Sequence, residues 1–376
     1  MSMIPISVTV ILVIVVVTYL QLQRLKHERR LLLLSELIVT SQMSSPETQN
    51  RFIYDWVNIL EELGYLRSLL GINNGVVFGS ETNGRQAIFI RALNRINNRF
   101  LEDRHLALYV DMQQLISGAR SHQWVSIEDL YRRLMKLPFV WYRTLAQHAT
   151  EADEKLLMSN PYYRKWQNKL ERILNEPLAE VNTLEIRRIL YNWMDDCQIE
   201  TITLFLDYFA ELPLDGSLIL LEKFKQTFPR GERVLLKLGG EADRLVVEQR
   251  TNEGRIGLQI HHDLLVDLDL EGLLTSPDFS PSLTDPRQHY LTTVLNALTR
   301  SSVSALVDGQ LDWDSFFTPP DLWHQLFQIT NYDIRLTGAL LDELVPDWKY
   351  GQKVNRERLH SAWERVKARY GELLAV

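Results

Sequence analysis

The chain has very little cysteine: Cys197 is the only one among its 376 residues. A single thiol excludes an internal disulfide framework and a zinc site built from cysteines, and it is typical of a reducing compartment. The sequence also lacks an excess of positive charge, since its formal net charge is −7 and its pI is about 5.8. We therefore do not expect nucleic acid as a direct partner, because nucleic-acid-binding surfaces are basic.

Recognisable catalytic and metal-binding sets are missing from the sequence as well. No Ser/His/Asp or Cys/His arrangement has the setting of an activated nucleophile, and there is no internal repeat or low-complexity tract. His261-His262-Asp263 resembles a metal-ligand group, yet adjacent side chains on a strand point to opposite faces. We interpret these residues as strand-end packing, since no further Cys or His lies at ligand spacing.

One long hydrophobic run is present at the N-terminus. Residues 1–23 carry no charged side chain, and Ile6–Leu20 is almost wholly apolar. A membrane-spanning helix needs about 20 such residues, so we predict that residues 1–43 form a transmembrane helix and a juxtamembrane stalk. Basic side chains follow within residues 24–30. The positive-inside rule then predicts a single-pass protein of the cell inner membrane, with its N-terminus outside and its bulk in the cytoplasm.

The rest of the chain is organised around a Gly-rich turn, Gly79-Ser-Glu-Thr-Asn-Gly-Arg-Gln86. It lies between the apolar run Val76–Phe78 and a helical pattern, the setting in which backbone N–H groups and a helix N-terminus hold phosphates. The spacing fits G-x-x-x-x-G-K-[ST], but Arg85 replaces the lysine that reaches the phosphates, and Gln86 replaces the hydroxyl residue that holds Mg²⁺. We predict a degenerate nucleotide-binding loop made by Gly79, Asn83, Gly84, Arg85 and Gln86.

An acidic position further along the chain is predicted to complete this site. The β-prone run Thr201–Leu206 ends at Asp207, in the place of the Walker B carboxylate that holds Mg²⁺. Tyr208 follows, where many ATPases have a glutamate that polarises the attacking water. Asp111, at the end of the run Leu106–Val110, is the second candidate, and a solvent-facing acid at a strand end is the alternative for both.

Helices alternate with short apolar strands along the chain. This pattern predicts an α/β sandwich with a mainly parallel sheet, which binds its ligands at the carboxyl ends of the strands. We assign this domain to residues 44–285 and a helical lid domain to residues 286–376. Arg91, Arg95 and Arg99 recur on one helix face, and we favour a solvated face over a stripe that binds a phosphate backbone, because the domain is not basic.

Five segments occur in the order expected of an AAA+ module. They resemble the P-loop ATPases of the origin-recognition-like and STAND-like prokaryotic branch, and they are GVVFGSETNGRQ, LALYVDM, ITLFLDYFAELP, RVLLKLGG and RIGLQIHHDLLVDLDLEGLL. The resemblance implies ATP and Mg²⁺ as cofactors, with Asp207 as the metal ligand. It also implies that Arg335 enters a lid helix as the sensor 2 arginine, for which a surface arginine near a helix start is an equal alternative. Trans-acting fingers would come from Arg244, Arg250 or Arg255.

Departures from the family pattern bear on the function. The strand Val234–Leu238 runs into Gly239-Gly240 instead of a polar sensor residue. The leading hypothesis is a membrane-anchored AAA+-like protein with a degenerate nucleotide site and no or very weak ATP hydrolysis. It would be a regulatory or scaffolding subunit of an assembly in prokaryotic defence or DNA transactions, either as a homo-oligomer or together with a related ATPase. The alternatives are a working membrane-bound ATPase and a structural membrane anchor that binds no nucleotide.

Overall fold

The computed structural model describes residues 16–22, 51–117, 126–147, 161–176, 182–228, 233–251, 254–275, 285–302, 316–345 and 353–370. They belong to two compact units. The first unit contains the described residues of Met1–Met43, Asn94–Ala107 and Glu128–Ile202. The second unit contains those of Ser44–Leu93, Leu108–Ile127 and Thr203–Val376.

The strands confirm the predicted α/β class with a mainly parallel sheet. They are β1 (Gly75–Phe78), β2 (His105–Asp111), β3 (Thr201–Asp207), β4 (Val234–Gly240), β5 (Glu248–Thr251), β6 (Gly254–Gly257) and β7 (Leu265–Asp269). Five of them form one sheet in the order β2-β3-β4-β1-β7, and β1 pairs in parallel with both β4 and β7. Every residue of β3 and β4 is buried, which explains why their sequences are nearly continuous apolar runs.

Helices account for most of the other regular structure. They are α1 (Arg51–Glu62), α2 (Arg85–Asn98), α3 (Phe100–Asp103), α4 (Met112–Ser117), α5 (Ile127–Gln147), α6 (Pro161–Asn175), α7 (Thr183–Cys197), α8 (Leu214–Thr227), α9 (Leu270–Thr275), α10 (Pro286–Ser302), α11 (Leu322–Ile329), α12 (Ile334–Leu344) and α13 (Arg356–Tyr370). The helical pattern of residues 51–70 predicts a longer α1. The helix ends earlier because Gly64 adopts φ 84°, a left-handed conformation that terminates helices.

The first unit is held together by buried aromatic side chains of α5, α6 and α7. The rings of Phe139 and Trp193 meet edge to face at 6.0 Å, and the indole N–H of Trp166 donates to Asp196 at 2.6 Å. The side chain of Asn182 accepts hydrogen bonds from the first turn of α7, as an N-cap does.

The second unit contains the Gly-rich turn and the C-terminal helices. Within it, α1 contacts α10 and α12, and α12 also contacts α13. The apolar pieces Leu245–Glu248 and Ile256–Ile260 predict two strands joined by residues 251–254. The chain forms the antiparallel hairpin β5–β6 with Thr251 paired to Gly254, so both strands lie closer to the turn than predicted. β7 is an edge strand of the main sheet. The division predicted at residue 285 stays a prediction.

Most of the predicted membrane anchor lies outside the described residues. Within residues 1–43 the structure describes 16–22, which are helical with exposed side chains. In the part of the chain that the structure describes, no helix is both long and apolar enough to cross a membrane. The anchor and its orientation therefore stay predictions.

Candidate functional site

The Gly-rich turn joins β1 to α2 at the carboxyl end of β1. Its two glycines, Gly79 at φ 154° and Gly84 at φ 85°, adopt conformations that other residues disfavour. Between them, Glu81–Asn83 form one turn of 3-10 helix. Within that turn the Gly84 N–H donates to the Glu81 carbonyl at 2.9 Å, and the Asn83 N–H donates to the Ser80 carbonyl at 3.3 Å. These two amides are therefore used inside the turn, whereas the amides of a phosphate-binding loop face their ligand.

Arg85, the first residue of α2, directs its side chain to Asp207 at the end of β3. Its Nε donates to Asp207 Oδ1 at 2.6 Å, and the two side chains are 4% and 0% exposed. A second guanidinium nitrogen, Nη1, donates to the Gly79 carbonyl. A buried charge requires an opposite charge and hydrogen bonds, and Arg85 obtains both here. The structure thus brings together three of the predicted site residues.

Two more groups donate to the Asp207 carboxylate. The Tyr109 hydroxyl of β2 donates to Oδ2 at 2.9 Å, and the Tyr208 backbone N–H donates to Oδ1 at 2.9 Å. Gln86 Nε2 in turn donates to the Tyr109 hydroxyl oxygen at 2.9 Å. Burial, and then the charge of Asp207, raise the pKa of Tyr109, so the phenol keeps its proton and remains a donor. Gln86 therefore reaches Asp207 through Tyr109.

Tyr208 covers Arg85 from the side of the turn. Its backbone is left-handed at φ 55°, and its hydroxyl donates to Glu81 Oε2 at 3.0 Å. Its ring centroid lies 5.2 Å from the guanidinium carbon of Arg85, within the range of a cation–π contact. The residue that replaces the glutamate of working ATPases therefore ties the Gly-rich turn to the end of β3.

Mg²⁺ and this arrangement compete for the same oxygens. Mg²⁺ requires oxygen ligands in near-octahedral geometry, whereas the Asp207 oxygens accept hydrogen bonds from Arg85, Tyr109 and Tyr208. Among the described residues, no group of three or more His, Cys, Asp or Glu side chains could hold a metal ion. Asp207 is therefore not suited to bind Mg²⁺ while its carboxylate is paired with Arg85. The assignments of Mg²⁺ and ATP to this site stay predictions.

Carboxylates gather around Glu271 in α9, which follows β7. The pKa of Glu271 is raised, first by burial and then by the charges of Asp269, Asp243 and Glu241, while Arg85 acts in the opposite direction. Arg85, already paired with Asp207, is therefore near enough to Glu271 to act on its pKa. An ATP triphosphate is itself strongly anionic, so this surrounding charge disfavours its approach.

Gly239 shows why β4 carries no polar sensor side chain. An ideal Cβ on Gly239 would lie 2.6 Å from Phe89 Cε2 and 3.0 Å from Asp207 Oδ1. Contacts this short are not tolerated in a close-packed interior. The close approach of Phe89, and to a lesser degree of Asp207, therefore requires glycine at this point of the strand.

Arg335 lies in the first turn of α12, the helix predicted to belong to the lid. Asp333 is the N-cap of α12, and its Oδ2 lies 3.4 Å from the Arg335 guanidinium. The helix as a whole contacts the 3-10 turn at Glu81–Asn83. The predicted lid helix therefore packs on the Gly-rich turn, but the ion pair that Arg335 makes is on its own helix. Its role toward a γ-phosphate stays a prediction.

The other acidic and basic candidates have structural partners. Asp111 accepts a hydrogen bond from the Gln114 N–H at 3.0 Å and so caps α4. In the arginine stripe, Arg91 pairs with Glu61 at 2.6 Å, and Arg99 pairs with carboxylates of the following turn. The Arg91 pair joins α2 to α1, whereas the Arg99 pairs are local, so both arginines have partners within the protein.

The remaining candidates lie around the β5–β6 hairpin and after it. Asp263 accepts a hydrogen bond from the Lys225 ammonium group at 2.9 Å, and its carboxylate lies 3.1 Å from the His262 ring. These contacts belong to a hydrogen-bonded turn. Arg244 and Arg255 lie near Glu241 and Glu248, and both arginine side chains are more than half exposed. A trans-acting role for them, or for Arg250, stays a prediction.

Sequence reasoning missed Tyr109 as part of this site. The available signal was a tyrosine inside the apolar run Leu106–Val110, where a phenol normally finds a hydrogen-bond partner.

Neither a protein-family model nor a curated protein matches this chain.

Proposed function

We propose that this protein is an AAA+-like module that does not turn over ATP and acts as a regulatory or scaffolding subunit. One observation carries the proposal: the Arg85 guanidinium is buried between Asp207 and the Gly79 carbonyl. A cation supplied by the chain itself thus neutralises the carboxylate that Mg²⁺ would need.

The sheet order supports the AAA+ part of the proposal. β4 lies between β1, which precedes the Gly-rich turn, and β3, which ends at Asp207. An inserted strand between the P-loop strand and the Walker B strand is the arrangement expected of AAA+ modules. The Gly-rich turn and Asp207 therefore meet at the edge of the sheet where such modules bind nucleotide.

The chemistry of phosphoryl transfer supports the lack of turnover. The reaction needs a clamped phosphate, a placed Mg²⁺ and an oriented water. Here Gln86 is directed to Tyr109, and Tyr208 is directed to Glu81. Losing one such electrostatic element lowers a rate by about 10²–10³, so two losses leave hydrolysis near background.

A partner and a membrane complete the proposal. We propose anchoring by residues 1–43 in an inner membrane, with residues 44–376 in the cytoplasm, because of the charge-free run and the basic cluster after it. A module without turnover would work by contact with other subunits, either further copies of this chain or a related ATPase. Sedimentation of the full-length chain in detergent tests this part, and a strictly monomeric protein that ignores such an ATPase contradicts it.

A second candidate is a structural module that binds no nucleotide at all. The carboxylates around Glu271 favour it, because they act against binding of a triphosphate. The hydrogen bonds that Asn83 and Gly84 make within the turn favour it as well.

Phosphate release from ATP tests the absence of turnover. We expect the purified full-length chain to release phosphate no faster than its Asp207→Asn variant, which keeps the shape and an acceptor oxygen but loses the charge. Robust hydrolysis by the natural chain that disappears in Asp207→Asn would contradict the proposal and favour the working ATPase.

A further inference from the structure

Helix α1 occupies a central position in the second unit. It begins at Arg51, directly after the N-terminal segment, and it buries Ile53, Trp56, Val57, Ile59 and Leu60. Its neighbours are α10 and α12, and α12 also contacts the 3-10 turn of the Gly-rich turn. One short helix therefore touches α12, which itself packs on the Gly-rich turn.

The contact between α1 and the Gly-rich turn depends on Gly84. An ideal Cβ on Gly84 would lie 3.3 Å from Ile53 Cγ2 and 3.6 Å from Trp56 Cδ1. The first of these distances is tighter than ordinary packing, so a side chain here would press directly on α1. Glycine at position 84 is therefore needed for two reasons, the left-handed backbone and the close packing against α1.

The contact between α1 and α12 depends on a second glycine. An ideal Cβ on Gly338 would lie 2.1 Å from Phe52 Cγ, which places the Phe52 ring directly on the helix backbone. α10 joins the same cluster through Tyr290, whose ring meets Trp56 edge to face at 5.7 Å. The Tyr290 hydroxyl donates to the Ile334 carbonyl of α12 at 3.3 Å.

One polar atom of α1 and one of the turn are unsatisfied. The indole Nε1 of Trp56 and the amide Oδ1 of Asn83 are buried without a hydrogen-bond partner. The two residues are 0% and 6% exposed. A buried polar atom without a partner is unfavourable, and separation of α1 from the turn would let water reach both atoms. The packing of α1 on the turn is therefore less stable than its apolar contacts alone would make it.

We propose that α1 is a releasable clasp, which holds the Gly-rich turn, α10 and α12 together and connects them to the N-terminal segment. Displacement of α1 loosens the turn and these helices as one cooperative unit. This inference rests on packing and holds whether or not the site binds nucleotide.

A pair of glycine substitutions tests the clasp in the full-length chain. Gly338→Ala places a methyl group against Phe52, whereas Gly216→Ala in α8 meets only the flexible tip of Ile127, at 2.6 Å. Both changes replace a helical glycine and so share the same gain in helix propensity. Hydrogen–deuterium exchange is read by mass spectrometry on peptides that cover the Gly-rich turn.

We expect Gly338→Ala to speed exchange in the Gly-rich turn by about 5- to 150-fold, the factor that corresponds to overpacking of about 1–3 kcal/mol. Gly216→Ala should leave exchange there unchanged. If Gly338→Ala loosens only α1 and α12, and the turn exchanges as in the natural chain, the proposal is overturned.

The reverse perturbation keeps the test decisive if Gly338→Ala does not fold. Gly84→Ala changes the turn and leaves the sequence of α1 intact, and coupling between two sites is reciprocal. We expect it to speed exchange across Arg51–Glu62, while exchange in the first unit, for example in Thr183–Cys197, stays unchanged. Unaltered exchange in α1 would refute the clasp.

Discussion

Replacing Lys237 by methionine should destabilise this protein strongly, because the lysine belongs to a buried ion pair. Lys237 in β4 and Asp267 in β7 lie on either side of β1, and their charged atoms meet at 2.7 Å. Both side chains are 0% exposed. They meet across Gly75, where an ideal Cβ would lie 1.7 Å from Asp267 Oδ2. The pair therefore spans β1 at Gly75, the one residue of that strand without a side chain.

The expected magnitude follows from what the substitution leaves behind. Asp267 would keep only a 3.3 Å hydrogen bond from Asn73 to its carboxylate. Breaking a buried pair in this way typically costs about 3–5 kcal/mol, a large part of the ~5–15 kcal/mol that stabilises a domain. The double variant Lys237→Met/Asp267→Leu removes both charges, so we expect it to be much closer to the natural chain.

The stability of the Lys237→Met variant should depend on pH, because the substitution changes the pKa of Asp267. In the natural chain burial raises the pKa of Asp267, and the charge of Lys237 counteracts that rise. Without Lys237 the folded-state pKa of Asp267 rises further above its unfolded value, which is about 3.9. The folded state then holds a proton that the unfolded state loses. The variant is therefore least impaired below the unfolded pKa, and its stability decreases as pH rises through the folded pKa.

Urea unfolding at several pH values measures these free energies. The single variant should lose stability at neutral pH and recover part of it in acid, whereas the double variant should show little of this dependence. A single variant within about 1 kcal/mol of the natural chain at neutral pH would refute the reasoning, because an unpaired buried carboxylate cannot be that harmless.

Three further predictions concern other parts of the chain. Arg85→Met should lower the free energy of unfolding by about 3–5 kcal/mol, since it leaves Asp207 buried without its cation, and an unchanged urea midpoint would contradict the pairing. Gly75→Ala should also unfold at lower urea, because its methyl group would meet the Asp267 carboxylate, and natural stability would refute that crowding. In intact cells, a cysteine placed at Ser2 should react with a membrane-impermeant reagent and one placed at Ser45 should not, against a low background because Cys197 is buried; the opposite labelling would reverse the topology.

Much of the fold could be predicted from the sequence because the buried strands have simple patterns. The runs that end at Phe78, Asp111 and Asp207 form strands as expected, since strands buried on both faces are continuously apolar. The strands of the hairpin β5–β6 lie closer to their turn than the apolar residues indicate, because they are only four residues long and largely exposed and so show no such run. Gly64 ended α1 earlier than its apolar periodicity indicates.

The candidate site was less predictable because its chemistry depends on where side chains point. The motif placed Arg85 and Asp207 at one edge of the sheet, but the spacing of residues does not reveal that the two bind each other. The contributions of Tyr109 and Tyr208 likewise arise from long-range contacts that a local pattern does not encode. Lys237 lies within the apolar run of β4, and only the pairing of β1 with β4 and β7 brings it to Asp267.

Titration of the full-length chain with ATP and Mg²⁺ in a calorimeter tests the central claim most directly. Because Arg85 occupies Asp207 and carboxylates lie nearby, we predict no binding tighter than about 1 mM, which corresponds to about −4 kcal/mol. The Asp207→Asn variant should give the same trace as the natural chain. Magnesium-dependent binding in the micromolar range that is lost in Asp207→Asn would contradict the account, because Asp207 would then bind a metal ion in place of Arg85.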